Sequence, residues 1–173
     1  MKFNRISVFV ATAVMTFGAF ITPSFVATSG SQDVQATAKA PVRNKISFVG
    51  VTVPVIKGNM TVTSAPRGNV AQTWGGQTKL SNTDNQSTQM IGHNNSSFGK
   101  IVKLKKGSKV TVHDGKGNTK VYHVTKVLNV TDQGYINHTK TSVYKQIVNP
   151  HQGEQVVLQT CLSETVNRLV WAR

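Results

Sequence analysis

The stretch Lys109-Val110-Thr111-Val112-His113-Asp114-Gly115-Lys116-Gly117-Asn118-Thr119-Lys120-Val121-Tyr122-His123-Val124 decides the fold class. Val110 and Val112 alternate with polar residues, the two-residue period of a half-buried strand. Asp114-Gly115-Lys116-Gly117-Asn118 is a hairpin turn, because glycine supplies the left-handed backbone that tight turns need. Alternation resumes over Lys120–Val130 through Val121, His123 or Val124, Val127 and Val130. His113 and His123 then flank the turn on neighbouring strands, able to face one another.

The same signals extend in both directions. Ile46, Phe48, Val51, Val53, Val55 and Ile56 lie in short runs punctuated by Gly50, Pro54 and Gly58. Residues 64–87 are rich in Gly, Asn, Gln and Thr and read as a long connection with a short helical turn near Val70–Trp74. Gln89–Ile91 is a brief strand ending at Gly92-His93. Asn94–Ser97 is a loop or the cap of a short helix carrying Phe98, Ile101 and Leu104. Val156-Val157-Leu158 forms a compact strand running into Cys161, and Arg168–Ala172 forms the last one. Many short strands, Gly-rich turns and little helix predict a mainly β fold. The expected form is a single closed or nearly closed barrel of about seven or eight strands with one or two short helices. The last strand runs almost to the final residue, Arg173, which is expected to weaken closure.

The N-terminal segment has a different character. Lys2 and Arg5 precede an uncharged run from Ile6 to Ile21, and Pro23 breaks it. Small-residue sites follow at Ala36-Thr37-Ala38 and Ala38-Lys39-Ala40. Residues 1–40 therefore read as a signal peptide or signal-anchor plus linker, and residues 41–173 as one catalytic-sized domain. Cleavage and retention are both open, since the run from Ile6 to Ala27 is just long enough to span. Either way the domain is expected to be exported, working at the outer face of the membrane, in the wall, or secreted. Net charge is +14 for the chain and +12 once Lys2, Arg5, Lys39 and Asp33 are set aside. Such a field suits an anionic membrane or wall surface. The charges are dispersed and no aromatic-rich binding motif interleaves them, which argues against nucleic acid.

One cysteine, Cys161, excludes an internal disulfide, and in an exported chain a lone thiol is either a buried packing residue or a reactive one. Its place after a strand is suited to a nucleophile, held rigidly yet reachable. Free cysteine, with a pKa of about 8.5, needs a neighbouring base or cation to act. Among His93, His113, His123, His138 and His151, His93 is the best-placed partner because it ends a strand after Gly92. Arg168 lies seven residues after Cys161, so a short turn would bring it alongside on an antiparallel strand. A guanidinium there would steady an oxyanion or hold a substrate carbonyl.

Leu158-Gln159-Thr160-Cys161 followed by Arg168-Leu169-Val170 resembles the signature of the sortase family, Thr-Leu-x-Thr-Cys at a strand end and then an Arg opening the next strand. Met90-Ile91-Gly92-His93-Asn94, Phe98-Gly99-Lys100-Ile101 and Leu104-Lys105-Lys106-Gly107-Ser108-Lys109-Val110 resemble that family's Gly-His strand end and the segment after it. Val53-Pro54-Val55-Ile56 resembles its second strand, and the likeness spans about Lys45 to Arg173. Val157 departs from the usual first Thr, and Arg173 is a second arginine on the last strand.

The resemblance implies a sortase-type barrel and a cysteine transpeptidase. By it, Cys161 is the nucleophile, His93 the general acid or base, and Arg168 the group that positions substrate and steadies the tetrahedral intermediate. Thr160 contributes a hydroxyl nearby. The family cleaves Leu-Pro-x-Thr-Gly-like signals between Thr and Gly, holds a thioester, and passes the acyl group to an amine of a wall precursor or a pilin lysine. The implied partners are surface proteins bearing that signal and the acceptor amine, with the enzyme a monomer. No cofactor is expected. Only Asp84 is acidic between Gly68 and His93, too few oxygen ligands for calcium, and no His/Cys cluster suggests zinc. The competing readings are a non-enzymatic basic β-domain that binds wall polymers with Cys161 buried, a degenerate enzyme, and another cysteine hydrolase. The last is disfavoured because every histidine precedes Cys161.

Overall fold

The computed structural model describes residues 40–62 and 64–173. The targeting segment expected over residues 1–40 lies, but for Ala40, outside them. Eight strands form a closed barrel: β1 (Lys45–Phe48), β2 (Val51–Ile56), β3 (Ala71–Gly76), β4 (Ser87–Ile91), β5 (Lys109–His113), β6 (Thr119–Thr131), β7 (Gln155–Cys161) and β8 (Val166–Ala172). Their order around the barrel is β1-β2-β3-β4-β7-β8-β6-β5. Among the described residues a 3-10 helix spans Ser97–Lys103 and an α-helix, α1, spans Tyr144–Val148. The closed mainly β barrel with few short helices is the fold expected. Closure is complete because β8 pairs with β6 along one edge and β7 along the other.

Alternation decides which side chains fill the barrel. Val53 and Val55 of β2, Val110 and Val112 of β5, and Tyr122 and Val124 of β6 point inward, with polar or exposed residues between them. Phe98 and Ile101 of the 3-10 helix belong to the same core, and Phe98 meets Phe48 edge-on at 5.8 Å. The Ser96 hydroxyl accepts from Phe98 N and caps this helix. A second apolar cluster lies outside the barrel, where Val143 and Ile147 cover Val130, Val157, Leu169 and Trp171. Strands β7 and β8 are therefore buried on both faces, which is why Val156-Val157-Leu158 is a continuous apolar run.

Two local expectations change. The segment near Val70–Trp74 is strand β3, parallel to β2 and antiparallel to β4, not a helical turn. Its polar residues can be buried because the flanking loops supply partners: Thr73 Oγ1 donates to Thr78 O (2.7 Å) and Gln72 Nε2 to Ser64 O (3.4 Å). The hairpin is present, but its register sets His113 opposite Thr119 and Lys109 opposite His123. The two histidines do not face one another.

Candidate active site

The site begins with a parallel strand pair. β4 and β7 run side by side from Ser87↔Gln155 to Ile91↔Gln159, so both strands finish at the same edge of the barrel. The register continues one step further: Gly92 N donates to Gln159 O (3.2 Å), and Thr160 Oγ1 donates to Gly92 O (2.8 Å). His93 follows Gly92 as Cys161 follows Thr160, and both line the same groove. Gly92 is required here by close approach, since a Cβ would sit 2.5 Å from Phe98 Cδ1.

His93 and Cys161 open onto a groove of about 590 Å³. Met60, Val62, Ala65 and Trp74 make one wall, and Val130, Tyr144 and Ile147 the other. Trp74 is fixed by its Nε1–H donating to Val62 O at 2.7 Å. Ile91 and Gln159 line it beside the paired strand ends, and Gln159 Oε1 accepts from the buried Gln89 Nε2 at 2.6 Å. The second wall includes part of the region 134–154. The shape suits an extended peptide whose apolar side chains rest on both walls and whose backbone reaches the thiol. Cys161 itself is exposed, as a nucleophile must be and as a packing residue is not. Thr160 is buried and bonded to Gly92 O, so its hydroxyl ties the two strand ends together.

The last strand is the antiparallel neighbour of β7 that the short spacing predicted. The connection Leu162–Thr165 is tight, with Leu162 N and Ser163 N both donating to Val166 O. It sets Cys161 opposite Asn167, and Thr160 opposite Arg168. Residues directly opposite in an antiparallel pair share a face. Asn167 therefore shares a face with Cys161, and Arg168 shares one with Thr160, which also lines the groove. Asn167 lines the groove and Arg168 does not. Arg168 Nε is buried with no hydrogen-bond partner among the described residues. Arg173 sits at the far end of β8, held by Gln155 Oε1 (2.8 Å) and Gln152 O (3.2 Å). That is about 20 Å along the strand from Asn167. Sequence reasoning passed over Trp74, Gln159 and Asn167. Strand alternation counted back from Cys161 would have found Gln159, but Asn167 depends on the turn.

His113 and His123 lie on β5 and β6, outside the groove lining, and His138 and His151 are exposed in loops. Among the described residues no three His, Cys, Asp or Glu side chains gather as a metal site would need.

A thiol and an imidazole at adjoining strand ends, on a closed eight-stranded barrel beside a peptide-sized groove, define a class of cysteine acyl-transfer proteins. A family model described as Sortase domain matches residues 45–173, and the chain belongs to the sortase family, whose members are cysteine transpeptidases. Among solved structures it is similar to Listeria monocytogenes sortase A, at 20% identity and TM-score 0.57, over 75% of this chain and 83% of that one. Sortase C from Clostridium perfringens SM101 matches at 18% identity and TM-score 0.56, over 74% of this chain and 66% of that one, just under two thirds of its length. A Clostridium perfringens sortase D5 transpeptidase matches at 16% identity and TM-score 0.56, over 75% of this chain and 76% of that one. No curated protein matches the chain in sequence.

Proposed function

We propose that this protein cleaves a Leu-Pro-x-Thr-Gly-like sorting signal between Thr and Gly and transfers the acyl part to an amine, anchoring surface proteins to the cell wall. The parallel pairing of β4 with β7 carries the reading, because it supports a thiol–imidazole pair at the end of an apolar groove. A similar solved structure is described as Clostridium perfringens sortase C with the C-terminal cell wall sorting motif, at 17% identity. That description is consistent with a peptide in the corresponding groove here.

In the reaction, the Cys161 sulfur attacks the Thr carbonyl carbon and a C–S bond forms. The C–N bond then breaks, and the leaving glycine amine takes a proton from His93. The thioester persists until an amine of a wall precursor attacks the same carbon. His93 removes its proton, the C–S bond breaks, and Cys161 returns as thiolate. Water in place of the amine gives hydrolysis. The third role, positioning substrate and steadying the tetrahedral intermediate, falls to Arg168 by the family resemblance, on the strand beside Cys161. Working outside the cytoplasm, at an anionic membrane or wall surface, is part of this proposal and is supported by the N-terminal pattern and the basic charge.

Incubating the purified domain with a small set of sorting-signal peptides and hydroxylamine is expected to give the hydroxamate of the Thr-ended fragment. Cys161→Ala is expected to abolish it. Turnover retained by Cys161→Ala, or no product from any peptide with the wild-type protein, would sink the reading. The rival, a non-enzymatic wall-binding β-domain, requires an inert cysteine, so rapid alkylation of Cys161 in the folded protein counts against it.

A further inference from the structure

We infer that the cavity between Lys126 and Arg173, on the outer face of the barrel, is a binding site for a phosphate group. The inference stands apart from the transpeptidase reading, since neither residue lines the groove. The cavity measures about 260 Å³, below the roughly 300–1,000 Å³ of sites for drug-sized ligands, and it suits one small anionic group. It lies at the Gln155 end of β7, about 20 Å along the strand from Cys161. Trp171 and Arg173 are two positions apart on β8 and share a face, and Lys126 of β6 is directly opposite Trp171. Trp171 belongs to the apolar cluster outside the barrel, which fixes that face as the outer one.

Both cations are held in place by neutral groups. The Lys126 ammonium lies 4.1 Å from the centre of the Trp171 ring and donates to Gln146 Oε1 at 2.7 Å. Arg173 Nε donates to Gln155 Oε1 (2.8 Å), and its Nη2 donates to Gln152 O (3.2 Å). Gln155 is itself buried and fixed, its Nε2 donating to Ser87 Oγ at 3.1 Å. A guanidinium has five N–H donors and an ammonium three, so both cations keep donors for a ligand. Among the described residues no carboxylate lines the cavity. Glu154, next in sequence to Gln155, accepts from Tyr122 Oη and Asn85 N instead. Burial, and then the charge of Arg173, hold the Lys126 pKa below the ordinary lysine value, so the two positive charges are close enough to repel one another. An anion between them relieves that repulsion. A phosphate has oxygens enough to meet both cations, and the arginine fork matches two of them.

The test titrates inorganic phosphate into the full chain at fixed ionic strength and follows the Trp171 indole N–H by NMR, alongside thermal unfolding of each variant. The wild type is expected to show a saturable shift with a Kd of about 1 mM. Lys126→Met and Arg173→Gln should each weaken binding about tenfold or more, while Lys126→Arg and Lys103→Gln should stay within about threefold. Lys103 is exposed and outside the cavity, so it reports the general field of the protein. Lys126→Met keeps the apolar stem against the ring and decides the matter if Arg173→Gln fails to fold. Flotation with phosphatidylglycerol vesicles, set against phosphatidylcholine vesicles, separates the sources, the N-terminal segment being common to every variant. Weaker flotation of Lys126→Met on phosphatidylglycerol makes a lipid headgroup the source. Unchanged flotation, with phosphate binding lost, makes it a phosphate in solution. No saturable shift in the wild type, an equal loss in Lys103→Gln, or acetate binding as tightly as phosphate overturns the inference. Both readouts are independent of turnover.

Discussion

Gly92→Ala tests the coupling between the barrel core and the site. A Cβ at residue 92 would lie 2.5 Å from Cδ1, 2.6 Å from Cγ and 2.9 Å from Cβ of Phe98. Carbon atoms prefer about 3.5–4.0 Å, so something must move by roughly 1 Å. Phe98 cannot yield easily: it is 0% exposed and its ring is seated edge-on against Phe48. Overpacking of this kind costs about 1–3 kcal/mol. In a domain of this size that lowers the melting temperature by roughly 3–12 °C. The alternative movement is of the backbone at Gly92, which carries His93 with it, and a shift of about 1 Å in a reacting group can cost on the order of 10²-fold in rate. The assay is urea unfolding together with single-turnover thioester formation, for Gly92→Ala, Phe98→Leu and the double variant. The smaller Leu should make room, so the cycle should show a favourable coupling of about 1 kcal/mol or more. Unchanged stability and rate in Gly92→Ala, or strictly additive effects in the double variant, would refute the reasoning.

Other perturbations have equally direct readouts. Thr160→Val removes the hydroxyl that donates to Gly92 O and leaves that carbonyl unpaired, so urea unfolding should show a loss of about 1–2 kcal/mol. Trp74→Ala strips a groove wall without touching the thiol, and should raise KM for a signal peptide about tenfold while kcat stays within about threefold. Asp114 gives a pH dependence: burial pushes its carboxyl up, but bonds from the Asn118 side chain and from the backbone of Asn118, Lys116 and Asn82 outweigh it and leave the pKa below the usual value. A depressed carboxyl stabilises the fold above its unfolded pKa and stops doing so as pH falls through the folded one. Stability should therefore fall below about pH 4, and Asp114→Asn should flatten that acid limb in unfolding curves taken across pH.

Much of the barrel was legible because its strands carry their own alternation. Val110 and Val112, the Asp114–Asn118 turn, and Val53 and Val55 announce period-two elements without reference to anything distant. β3 was not legible. Ala71-Gln72-Thr73-Trp74-Gly75-Gly76 looks like a connection because its buried polar residues are satisfied by backbone carbonyls of the loops on either side of it, Ser64 O and Thr78 O. Its glycines are there for approach as well. A Cβ on Gly75 would meet Gln89 Oε1, and Gly76 has a positive φ of 69°. Helix α1 was equally hidden, since five residues are too few to show a helical period.

The sequence by itself determined the strand content, the hairpin, and the chemistry on offer: one thiol, a histidine at a strand end, and an arginine shortly after the cysteine. It could not determine which of these share a face. His93 and Cys161 are neighbours only because β4 and β7 pair in parallel and end at one edge, a long-range arrangement that neither strand encodes alone. The place opposite Cys161 was settled by the length of the turn Leu162–Thr165. Side chains alternate with a period of two, so a turn that took in one residue more would set Arg168 opposite Cys161 in place of Asn167.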